Sequence, residues 1–195
     1  MSFFSQSDAP TLAVPAGWLG VAVSLLYVAT DAGELATGGA FREQLVATYI
    51  ALLGMPFAVL GLHAAGVGGG TLRSLIGAVG YAASFAVFSG VTLVAVVEGA
   101  TDYGTLARRL SPLYEVSGAV MALGGAVFAD AIRRARIAPR WTAWLLLAGS
   151  AVSIPIALLP IDPNWQILAN TLRNVAGVGL GCTLIATKSN SARMR

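Results

Sequence analysis

Residues 72–97 read LRSLIGAVGYAASFAVFSGVTLVAVV, and they decide what kind of protein this is. After Arg73 no charged side chain interrupts the run. At about 1.5 Å per residue, a helix of this length reaches across the roughly 30 Å hydrocarbon core of a bilayer. A membrane β-strand would instead show roughly ten-residue stretches of alternating polarity. Five further runs share the character of this one. The spans expected are Leu12–Thr30, Gln44–Gly66, Leu72–Val97, Leu113–Ile132, Trp141–Pro160 and Trp165–Thr187. Together they fill residues 1–195 as a single membrane domain.

Composition agrees. Of 195 residues, 56% are apolar and 11% are charged, and the mean hydropathy is +0.76. A soluble domain needs roughly 25% charged residues to clothe its surface. The same numbers exclude a disordered chain, and the single Cys182 excludes a disulfide scaffold. The net charge of +3 does not point to nucleic acid, because the basic residues lie in short loops between apolar runs. The fold class expected is an all-α polytopic membrane protein, a six-transmembrane-helix bundle.

The positive charges set its orientation. With six alternating spans, Arg73, Arg133, Arg134, Arg136, Arg140, Lys188, Arg193 and Arg195 fall on one side. Only Arg42, Arg108 and Arg109 fall on the other. Both termini are therefore expected in the cytoplasm, with Asp31, Glu34, Glu43, Glu98, Asp102 and Asp162 outside. The first ten residues carry no Lys or Arg, so the first run reads as a retained helix rather than a cleaved signal peptide. Trp141, Trp144 and Trp165 sit where interfacial rings belong. Tyr103 to Leu110 has the spacing of a short interfacial helix.

Gly68–Gly70 and the Pro160/Pro163 pair read as helix stops. Pro15, Pro56 and Pro155 lie within spans, where each removes a backbone donor. The pairs Gly80/Ser84, Gly125/Ala129, Gly149/Ser153 and Gly177/Gly181 are four residues apart and allow close helix approach. They suit either a tight bundle or packing against a second copy or another membrane protein.

The chemistry concentrates in Asn170-Thr171-Leu172-Arg173-Asn174. Arg173 lies eight residues into the last span, roughly 12 Å below its end. A guanidinium at such depth costs about 2.5–3.5 kcal/mol to insert and belongs against protein or water. Asn170 and Asn174 share its side of the helix. Glu115, three residues into the fourth span, is the leading counter-charge, and Glu98, ending the third, the second. Arg173, Asn170, Asn174, Glu115 and Glu98 are thus the expected polar vestibule, with Tyr114, Ser117, Thr48 and Tyr49 at similar depth. The bland reading is that Arg173 snorkels to the headgroups or forms a structural ion pair.

Other polar groups read as structural. Asp130 is spaced to pair with Arg133 and Arg134 along one helix. His63 has no chelating partner in its own helix, and one histidine cannot ligate a haem twice. Cys182 reads as a buried, inert thiol. No serine–histidine, HExxH or paired intramembrane aspartate set exists, so no enzyme activity, cofactor or metal is expected.

The hairpin SPLYEVSGAVMALGGAVFADAIRRARIAPRWTAWLLLAGSAVSIPIALL (residues 111–159) resembles those of uncharacterised multi-helix bacterial integral membrane proteins. The resemblance rests on a Gly-rich helix, an Arg-rich turn and P-R-W-x-x-W-L-L-L-A-G. It implies a bacterial inner membrane and a helical bundle, without a substrate or catalytic set. The segment Glu98-Gly99-Ala100-Thr101-Asp102 resembles the external E-G-A-x-D of six-helix acid-activated urea and amide channels. Here it follows the third span rather than the second, so no residue is carried over. The function expected is passage of a small polar or anionic solute, with Arg173 at its outer recognition site. The alternative is a non-catalytic membrane subunit packing through its small-residue faces. The lipid bilayer is the one certain partner.

Overall fold

The computed structural model describes residues 9–37, 42–99, 109–158 and 164–193, side chains at some helix ends excepted. Six α-helices follow one another: α1 (Ala9–Thr37), α2 (Arg42–Ala64), α3 (Leu72–Glu98), α4 (Ser111–Ala135), α5 (Arg140–Leu158) and α6 (Asn164–Arg193). The α2–α3 connection turns on Gly66, Gly69 and Gly70, all at positive φ, a region open to glycine at no steric cost. Thr71 then caps α3 by accepting a hydrogen bond from the Ser74 amide at 3.1 Å. Pro112 sits in the first turn of α4, where its missing N–H is no loss. Pro15, Pro56 and Pro155 lie inside continuous helices.

Two helices overrun their expected limits. α6 continues to Arg193. The first span was expected to stop at Thr30 with Asp31 in a loop outside, but α1 runs on to Thr37. The physical reason is local: DAGELAT has no proline and only one isolated glycine, so nothing ends the helix. Asp31 thereby becomes a helix residue, and a buried one. Most of the proposed interfacial helix, Tyr103 to Arg108, lies outside the described residues.

Each helix packs on its neighbours in sequence, and α6 returns to pack on α1, which closes a ring of six. The close approaches show that neighbours run antiparallel. Gly17 meets Gly181 while Gly20 faces Gly177; Gly77 meets Phe128 while Gly80 faces Gly124. The small-residue faces are therefore occupied within the chain. A Cβ at Gly181 would lie 2.5 Å from the Gly17 carbonyl oxygen, and one at Gly125 would lie 2.5 Å from Ser150 Oγ.

The ring is inside-out by the standards of a soluble bundle. Leu25, Phe57, Ile76 and Leu123 are exposed on its outer surface, whereas Ser84, Thr92, Thr142 and Ser150 are buried. So large an apolar exterior has no place in water and suits lipid, which rewards close packing of small residues between helices. α1 (over Leu12–Thr37), α2, α3 and α4 are each long and apolar enough to cross a membrane. The interior is filled by Phe128, Tyr81, Phe85, Met55 and Leu62, with Tyr81 and Phe85 edge to face at 4.9 Å.

Trp18 faces outward, as does Cys182. The second corrects the expectation of a buried thiol: depth along a helix does not fix which side of the ring a residue takes. A nitroxide on Cys182 should therefore be relaxed by dissolved oxygen and little affected by a water-soluble nickel complex. The reverse order would put this face of α6 against water.

Candidate functional site

Asn170, Arg173 and Asn174 occupy positions i, i+3 and i+4 of α6, and all three turn into the ring, with Arg173 only 4% exposed. Its stem has room because residue 149 of α5 is glycine: a Cβ there would lie 2.6 Å from Arg173 Cγ. The guanidinium is held by neutral acceptors. Nη1 donates to Ser153 Oγ at 2.8 Å, and Nη2 donates to Asn170 Oδ1. Ser153 in turn donates to the Gly149 carbonyl at 3.0 Å. Asn170 Oδ1 also accepts from Gln166 Nε2 at 3.0 Å, while Asn170 Nδ2 faces the Tyr27 hydroxyl at 3.4 Å.

The carboxylate in this environment is Asp31 of α1. It lies beside the Asn170 side chain and within electrostatic reach of Arg173. Next to it, Gln44 of α2 donates to the Thr30 carbonyl at 2.7 Å, tying the ends of α1 and α2 together. A charge taken out of water is tolerated only with a partner and well-made hydrogen bonds. Arg173 has both: an opposite charge nearby and two neutral acceptors in contact.

Glu115 and Glu98, the counter-charges expected from sequence, are placed elsewhere. Glu115 is exposed and accepts from Ser111 one turn earlier. Glu98 is exposed and takes Arg109 on both oxygens, at 2.7 and 2.9 Å. Ser117 is buried, Thr48 donates to the Gln44 carbonyl, and Tyr114 stacks edge-on against Phe88. The structure thus brings together Arg173, Asn170 and Asn174 and adds Asp31, Ser153 and Tyr27. The unbroken helical character of the residues after Asp31 signals that it belongs to α1, but not which way it faces.

Below the guanidinium lies a cavity of about 30 Å³ to which every helix contributes, from Ser24 and Met55 to Tyr81, Phe128, Leu146 and Asn174. Such a volume has room for a few water molecules. Asn174 Nδ2 and Ser150 Oγ are buried without a hydrogen-bond partner among the described residues, as is Asp31 Oδ2. Buried polar atoms are rarely left so. The wall around Arg173 and Asn174 therefore offers N–H donors to an occupant.

At the opposite end of the ring, Asp130 of α4 binds three guanidiniums. Arg133 and Arg134 come from its own helix, as the spacing indicated, at 2.7 Å each, and Arg73 comes from α3 at 2.6 Å. His63 Nδ1 lies 2.8 Å from Ser74 Oγ. Among the described residues no three His, Cys, Asp or Glu side chains are grouped to hold a metal. Comparisons with protein-family models, with curated proteins and with solved structures give no match to this chain.

Proposed function

We propose that all six helices cross the inner membrane of a bacterium, with both termini cytoplasmic, and that the ring passes a small polar or anionic solute recognised at Arg173. The observation that carries this reading is a buried guanidinium on the wall of a cavity lined by all six helices, with the unpartnered Asn174 amide beside it. Intramembrane charges that face a bundle interior are costly to insert and mark substrate and ion pathways in many membrane proteins. α5 and α6 belong to the same ring as the four apolar helices, which supports their crossing with them. Among the described residues, Arg73, Arg133, Arg134, Arg136 and Arg140 at the Asp130 end, against Arg42 and Arg109 at the Asp31 end, favour the Asp130 end as cytoplasmic.

The solute would meet Arg173 and Asn174 as donors, with Asp31 behind Asn170 moderating the positive charge. The cavity holds no more than a few water molecules, so passage of a larger solute requires the helices to part. Cysteine substitution tests this. In a Cys182→Ser background, Asn170→Cys and Asn174→Cys should each label with a charged thiol reagent added from outside to intact cells, and small anions should slow the labelling. If both positions stay unlabelled while the proteins fold and insert, Arg173 is a structural ion and the solute pathway is lost.

A further inference from the structure

The Asp130 cluster has more positive charge than its carboxylate can use. Asp130 Oδ1 accepts from Arg133, and Oδ2 accepts from both Arg73 and Arg134. Arg134 is engaged only through Nε, so its two terminal nitrogens point elsewhere, and its side chain is 61% exposed. Two guanidiniums would satisfy the two oxygens. The third leaves a net charge of +2 held within one small patch, where like charges repel. Asp130 is the one described carboxylate at this end of the ring. Arg136, which is exposed, follows directly after α4 at φ 56°, a left-handed position that glycine normally takes.

The surroundings say what kind of anion suits it. The Arg133 guanidinium stands 6.0 Å above the ring of Trp144, which is half-exposed on α5, and Trp141 and Ile137 are exposed close by in sequence. A soluble anion has no use for that apolar floor. We propose that Arg73, Arg133 and Arg134, templated by Asp130, bind the phosphate of an anionic phospholipid, with Trp144 against its acyl chain. Basic pockets between membrane helices recognise such headgroups by charge and multiple N–H donors. Asp130 acts here as a positioning residue, since it holds guanidiniums from α3 and α4 in one place.

The test uses the full-length protein in mixed micelles with brominated lipids, which quench nearby tryptophan. Brominated phosphatidylglycerol should quench at about a thirtyfold lower mole fraction than brominated phosphatidylcholine, given about 1 kcal/mol per unit of the patch's net charge of +2 at a membrane surface. Trp144→Phe should remove most of the preferential component. Arg73→Gln/Arg134→Gln should abolish the preference while leaving phosphatidylcholine quenching intact, which also reports that the protein is folded. Should that variant not fold, Arg73→Lys/Arg134→Lys keeps the charge and should retain part of the preference. Equal quenching by the two lipids in the unmodified protein overturns the proposal. So does millimolar inorganic phosphate displacing phosphatidylglycerol completely, which would make the site one for free phosphate.

Discussion

Arg173→Leu should lower the unfolding free energy by about 3–5 kcal/mol, and adding Asp31→Leu should restore most of the loss. The single substitution leaves buried Asp31 without the guanidinium near it, and strips Ser153 and Asn170 of their shared donor. Removing both charges leaves only neutral groups, which a bundle interior accepts far more readily. The measurement is reversible unfolding in mixed micelles as the denaturing detergent fraction rises. Its coupling energy comes from the full cycle of Arg173→Leu, Asp31→Leu and the pair. Simple additivity would mean that the two charges do not sense each other and that Arg173 is balanced from elsewhere.

Gly124→Val and Gly181→Val should each cost about 3 kcal/mol or more, whereas Gly90→Ala and Gly118→Ala should be neutral or stabilising by about 0.5–1 kcal/mol. The contrast rests on what a side chain would meet. At Gly124 a Cβ would lie 2.6 Å from the Tyr81 amide nitrogen and 2.9 Å from the Gly80 carbonyl carbon; at Gly181, 2.5 Å from the Gly17 carbonyl oxygen. These are backbone atoms, so relief comes only from separating α3 from α4, or α1 from α6. Gly90 and Gly118 have nothing within 4 Å. Unfolding of the four variants alongside the unmodified protein decides it: similar losses at all four sites would mean that helix propensity, not backbone contact, governs these positions.

Helix positions were legible because a run of apolar residues as long as 72–97 has few alternatives. The Gly68–Gly70 stop was equally clear, since α2 ends at Ala64 and α3 begins at Leu72. The polar stripe of α6 was legible too: positions 170, 173 and 174 must share one side of a helix. Its partners were not. Glu115 and Glu98 lie at suitable depth, but depth leaves the angle about the helix axis open, and both carboxylates turn outward to local partners. By sequence Asp31 reads as a loop residue, because an acidic residue after an apolar run looks like an exit into water. Only packing against α6 makes it an interior residue. Arg73 joined Asp130 for the same kind of reason, across two helices that sequence spacing cannot relate.

The closing contact between α1 and α6 joins the two most distant helices of the chain, while every other extensive contact in the ring is between consecutive helices. Hairpins can form as each emerges from the insertion machinery, but this seam must wait for the whole sequence. Until then Asp31, Ser24 and the Gly17–Gly20 edge have no counterpart. The Asp31–Arg173 neighbourhood is thus the last part of the molecule to assemble, and a chain stalled before α6 holds Asp31 without the guanidinium that faces it in the finished ring.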